Sequence, residues 1–117
     1  MAQPDLAAAR QTLARIRELL AQSAPREPGS EPAREADALA QALNQSLRAH
    51  AQLDPALAAE SYVLLGHTRA RLGDERAAHE GYLTAYSMLR YAPREDAPAQ
   101  RVLAEAAAAL GRPAGPG

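Results

Sequence analysis

Ile, Val and Thr occupy only six of the 117 positions (Thr12, Ile16, Val63, Thr68, Thr84 and Val102), and Phe and Trp are absent. A sheet needs β-branched and aromatic side chains to fill its pleated faces. Against that scarcity stand 30 Ala and 16 Leu, residues that lose little on entering a helix. The chain is therefore expected to be all-α. Its nine prolines then decide how many helices there are, because proline removes a backbone donor and clashes with the preceding turn of a helix interior.

Proline positions divide the chain into five helical stretches. The first opens at Pro4-Asp5 and ends near Ser23, with Leu6, Ala9, Leu13, Ile16 and Leu20 at alternating spacings of three and four. That spacing makes one narrow apolar stripe, suited to a hairpin seam or a short coiled coil. Residues 24–33 (APREPGSEPA) contain three prolines, a glycine and a serine, and no regular helix is expected there. The second stretch runs from Pro32 to Gln52, with Ala36, Leu39, Ala40, Leu43, Leu47 and His50 on one side. The third runs from Pro55 to a stop at Gly73, the fourth follows Asp74 as N-cap and closes before Pro93, and the fifth spans Ala97 to Leu110. Asp at an N-cap and Gly just past a C-terminus are the expected punctuation. The expected organisation is an N-terminal helix over 1–23, a proline-rich linker over 24–34, a helical domain over 35–111 and a disordered tail over 112–117.

Two helix ends share a pattern. Leu72-Gly73 and Leu110-Gly111 stand 38 residues apart, and in that register Leu65 maps to Leu103 and Ala59 to Ala97. A period between 20 and 50 residues is the mark of a stacked repeat. The stretch 59–93 (AESYVLLGHTRARLGDERAAHEGYLTAYSMLRYAP) resembles a tetratricopeptide repeat, a helix–turn–helix unit of about 34 residues. The resemblance rests on Tyr62, Leu65 and Gly66 in the first helix, Gly73 in the turn, and Ala78, Tyr82 and Ala85 in the second. Gly66 and Ala78 would be small because the helices cross closely, and Gly73 would supply the positive φ of the turn. Two positions depart from the pattern. Arg69 stands where a bulky residue is usual, and Pro93 falls about one turn late, with Arg90 in its place. The resemblance implies antiparallel helical hairpins stacked as a short array of about five helices. In that array Ala85 admits the next unit and the fifth helix serves as a cap.

Chemistry is poorly represented. No cysteine exists, which removes disulfides, thiolate metal sites and a cysteine nucleophile together. His50, His67 and His79 are the only histidines, and none has a partner at the His-Glu-x-x-His spacing. No Gly-x-Ser-x-Gly elbow or glycine-rich phosphate loop is present, and Glu75 and Glu80 read as a solvated face. No catalytic residue, metal ligand or cofactor is expected. The 13 basic residues are all Arg and face 14 acidic ones, for a net charge of −1. Arg69, Arg71 and Arg76 are largely neutralised by neighbouring acids, so nucleic-acid binding is not expected. No apolar run is long enough for a membrane span and no secretory pattern opens the chain, so a cytoplasmic location is expected. Ala and Arg in place of Ile and Lys suggest a bacterial, GC-rich source.

What remains is an interaction module. The resemblance implies a concave groove lined by the first helix of each unit, here Glu60, Val63, His67, Ala70 and Arg71 from the third helix and Arg101, Glu105 and Ala108 from the fifth. Tyr86 and Tyr91 are expected as anchors at its edge. Some members of the family clamp the acidic C-termini of heat-shock proteins with Lys, Asn and Arg. With no Lys, and with Val63 and His67 at clamp-like positions, that specificity is not expected here. The groove is expected to take a peptide or amphipathic helix of a protein partner, as an adaptor or a chaperone-like assembly subunit does. The alternative is a structural subunit that self-associates through Leu6, Leu13, Ile16 and Leu20.

Overall fold

The computed structural model describes residues 5–22 and 30–111, and those residues form five α-helices and no strand. They are α1 (Leu6–Gln22), α2 (Glu31–Arg48), α3 (Pro55–Arg71), α4 (Glu75–Leu89) and α5 (Ala97–Leu110). The opening of the first helix at Pro4, its end at Ser23, most of the expected linker and the 112–117 tail lie outside the described residues. The helical domain begins earlier than position 35. Ser30 is the N-cap of α2, its side chain accepting from the Ala33 amide, and Pro32 falls in the first turn, where its missing N–H is harmless. The helix also stops at Arg48 rather than Gln52, with residues 49–53 in turns.

The other starts are acid caps. Asp5 accepts from Ala7 and Ala8 amides, Asp54 from Leu57, Asp74 from Ala77 and Asp96 from Ala99. Each satisfies amide hydrogens that no earlier carbonyl can reach and sets a negative charge against the helix dipole. Gly73 and Gly111 have φ of +84° and +69°, the left-handed conformation that closes α3 and α5 and that only glycine enters without a steric penalty.

Packing follows chain order. Consecutive helices pack on each other, and α3 also packs on α1 and α5, so α3 touches all four others. The α1 stripe is wider than the sequence spacing implies, because Leu19 is buried beside Leu13, Ile16 and Leu20. These residues share a core with Ala36, Ala40, Leu43 and Leu47 of α2 and Leu57, Ala58 and Leu64 of α3. Two packing partners require a broader apolar face than one seam supplies. The stripe considered for self-association thus lies within the chain's own core. A second cluster joins Ala59 and Val63 of α3, Ala85, Tyr86 and Leu89 of α4 and Ala99, Val102, Leu103 and Ala106 of α5.

The tightest approach is between α3 and α4. A Cβ on Gly81 would stand 2.8 Å from the Tyr62 carbonyl oxygen and 3.1 Å from the Gly66 nitrogen, and a Cβ on Gly66 would meet the Tyr82 ring at 2.5 Å. The two backbones touch, with the Tyr82 ring laid over Gly66. Gly81 is the small residue that the sequence pattern did not assign; Ala78, which it did, is buried on the same helix. Leu65 is partly buried against the first core, and Ala85 is fully buried where α4 meets α5.

Buried polar pairs tie α2 to α3. Asp37, 7% exposed, accepts from the Thr68 hydroxyl at 2.7 Å and from Arg69 Nε at 2.8 Å, and Asn44 donates to the Ser61 hydroxyl at 3.0 Å. Arg69, out of place against the repeat pattern, stands there as the partner of Asp37. Every buried side-chain N and O atom among the described residues has a partner, as a folded interior demands.

Gly81→Ala is expected to destabilise the chain by about 2 kcal/mol despite its better helix propensity, because the neighbours that must yield are backbone. Gly73→Ala meets no atoms but is strained by its φ, and should lose about 1 kcal/mol. Urea denaturation of both variants measures the two effects.

Candidate functional site

α1, α3 and α5 are not equivalent neighbours. α1 and α5 each pack on α3 but not on each other, which leaves a groove of about 580 Å³ across α3. The N-terminal turns of α3 and α5 open into it through Asp54, Pro55 and Ala56 and through Asp96 and Pro98. Arg10 and Arg17 line it from α1, Leu57 and Glu60 from α3, and Arg101, Val102 and Glu105 from α5. A smaller hollow of about 300 Å³ lies farther along α3, lined by Arg17, Leu20, His67, Ala70, Arg71 and Tyr82.

A single charged network separates the two. Arg17 Nη2 donates to Glu60 Oε2 at 2.9 Å and to Glu105 Oε1 at 3.0 Å, while Nη1 donates to Glu105 Oε2 at 3.1 Å. The guanidinium fork suits this geometry, taking one carboxylate bidentately and reaching a second. Glu105 Oε2 also lies 2.7 Å from His67 Nε2, and His67 Nδ1 lies 2.8 Å from the Tyr82 hydroxyl. One chain of polar contacts therefore runs from α1 to α3, α5 and α4.

The protonation states are mutually consistent. The hydrogen bond from His67, reinforced by Arg17 against the opposing effect of burial, holds the Glu105 carboxyl down at about 2. Hydrogen bonds and charge from Glu105 and Glu60 hold Arg17 above its ordinary value, against burial. Burial, with Glu75 and Glu105 adding their negative charge and Arg71 opposing, pushes the Tyr82 phenol up to about 12. An ionised Glu105 only accepts, so His67 Nε2 donates to it, and Nδ1 faces the Tyr82 hydroxyl; the Nε2 hydrogen is assigned from the network. A Tyr–His–Glu chain is formally a proton relay, but a phenol held neutral to about pH 12 and packed on Gly66 is poorly suited to act as a nucleophile. The arrangement is suited instead to fixing where four helices stand.

The groove assignments divide. Glu60, Arg101 and Glu105 do line the main groove, while His67, Ala70 and Arg71 line the smaller hollow. Val63 is fully buried in the α3–α4–α5 core and lines neither; its place on the same helix face is covered by α5. Tyr86 is buried on α4 and takes no part in the groove, whereas Tyr91 is 82% exposed with the Arg90 guanidinium 4.9 Å above its ring. Arg10 and Arg17 were not apparent as site residues, because α1 has no repeat signature and nothing in its sequence says which helix lies opposite. The spacing of Arg10 and Arg17, seven residues apart on one helix face, was the available signal. Among the described residues no group of His, Asp and Glu could hold a metal ion, and no helix is long and apolar enough to cross a membrane. No protein-family model matches the sequence, and no curated protein or solved structure is significantly similar to it.

Because Glu105 titrates near 2 in the fold and near 4.5 when unperturbed, its contribution is complete above pH 4.5 and is lost as the pH falls toward 2. Glu105→Gln should lower stability at neutral pH by about 1 kcal/mol, a value kept small by solvent screening of a half-exposed cluster. The gap between variant and parent should close on acidification; a gap independent of pH between 7 and 2 contradicts the assignment. A double-mutant cycle of Arg17→Gln with Glu105→Gln should give a coupling of about 1 kcal/mol.

Proposed function

We propose that the protein is a non-catalytic interaction module whose α1–α3–α5 groove receives a segment of another protein, in the manner of a short tetratricopeptide array. The observation that carries this reading is the groove itself. Odd-numbered helices line it, even-numbered helices back it, and rigid polar bonds hold its walls. Ala85 at the α4–α5 junction and the Gly66–Gly81 crossing agree with the repeat reading of residues 59–93. The packing of α1 on α2 and α3 continues the alternation into the first two helices, which supports reading them as a preceding hairpin and α5 as the cap. A groove of this size is in the range that accepts a few side chains of a peptide, and helix-in-groove recognition needs no moving part. An adaptor or an assembly chaperone is the role such a module performs.

A photo-crosslinking residue placed at Arg101 in full-length protein, expressed in the native cell, should give a discrete adduct with a second protein. The same residue at Arg76, an exposed position in the first turn of α4, should give none. Adducts from position 76 alone, or an adduct whose mass is two copies of this chain, would replace the groove reading with another face or with self-association.

A further inference from the structure

The polar groups of the main groove can be counted against one another. Glu60 is held by Arg17, and Glu105 by Arg17 and His67. Asp54 caps α3 and pairs with Arg10 at 3.2 Å, and Asp96 caps α5. Every carboxylate lining the groove is therefore engaged. Of the three guanidinium groups, Arg10 and Arg17 are engaged as well, and Arg101, exposed on α5, makes no hydrogen bond or ion pair to any described residue. Beside it stand two exposed proline rings, Pro55 and Pro98, one from each helix start, with Ala56 and Val102 between the walls.

Resting on the groove reading above, we propose that the occupant is a protein segment that places an Asp or Glu side chain on Arg101 and an apolar side chain next to it, against Pro55 and Pro98. The charge balance is the reason. A basic segment would find Asp54, Glu60 and Glu105 each already paired with an arginine, and Asp96 held against the N-terminal amides of its own helix. An acidic one meets a cation that has no partner among the described residues, on a wall that the Arg17 network holds in place. Arg is suited to this contact because its planar fork binds a carboxylate at two points while the rest of the side chain lies on apolar surface. An uncharged segment would leave Arg101 desolvated and unpaired at the groove wall, which disfavours it.

Random twelve-residue peptides displayed on phage and selected against the immobilised full-length chain provide the probe. Enriched peptides should carry an acidic residue beside an apolar one. Changing that acid to its amide should weaken binding to the parent chain about tenfold in isothermal titration. It should leave binding to Arg101→Gln unchanged, while Arg94→Gln, at an exposed position outside the groove, should behave as the parent. Enriched peptides that are blocked by Pro98→Trp but bind without an acid, or whose acid dependence survives Arg101→Gln, overturn this inference and leave the groove reading standing. Peptides indifferent to Pro98→Trp, or the absence of any enrichment, overturn both.

Discussion

The close crossing of α3 and α4 at Gly66 and Gly81 is the constraint from which the rest of the structure descends. Without a side chain at either position the two backbones touch, and the Tyr82 ring has room to lie over Gly66. That placement brings the Tyr82 hydroxyl to His67, and the imidazole, held at Nδ1, aims its other nitrogen at Glu105 on α5. Glu105, ionised and oriented, then takes Arg17 from α1, and Glu60 takes what remains of the same guanidinium. A steric fact on one hairpin thus becomes an electrostatic one on the opposite side of the molecule.

A core this rich in alanine has a weakness that the polar pairs offset. Alanine contacts are small and interchangeable, so one alanine-lined face slides on another with little change in buried area. Hydrogen bonds of fixed length do not permit that. Asp37 with Thr68 and Arg69, and Asn44 with Ser61, hold the register of α2 on α3, and the Arg17 network does the same for α1 and α5. Removing one partner of such a pair leaves a buried polar group exposed to the full desolvation penalty.

Much of the fold was legible in the sequence. Scarce β-branched residues pointed to helices, prolines and capping acids marked where they begin, and Gly73 and Gly111 marked where two of them end. The pairing within residues 59–93 was legible too, through Tyr62, Gly66, Gly73 and Tyr82. The start of α2 was read at Pro32, one residue from Glu31, while its end was read at Gln52 rather than Arg48; the capping by Ser30 was not apparent until the serine was seen accepting from the Ala33 amide. The groove was only half legible. Glu60, Arg101 and Glu105 were expected from the repeat resemblance, but Val63, placed on the same face by it, is buried, because such a pattern assigns a face without saying what covers it.

The amino-acid order by itself determined which segments become helices and how each begins and ends, since those are matters of propensity, missing amides and φ, decided within a few residues of chain. Which helix stands opposite which charge was decided only by the tertiary structure. Arg17 and Glu105 lie 88 residues apart, and nothing local distinguishes that arginine from the twelve others. Its role arises because α3, packed on four helices at once, brings α1 and α5 within reach of a single guanidinium, whose planar fork meets Glu60 and Glu105 at hydrogen-bond distance.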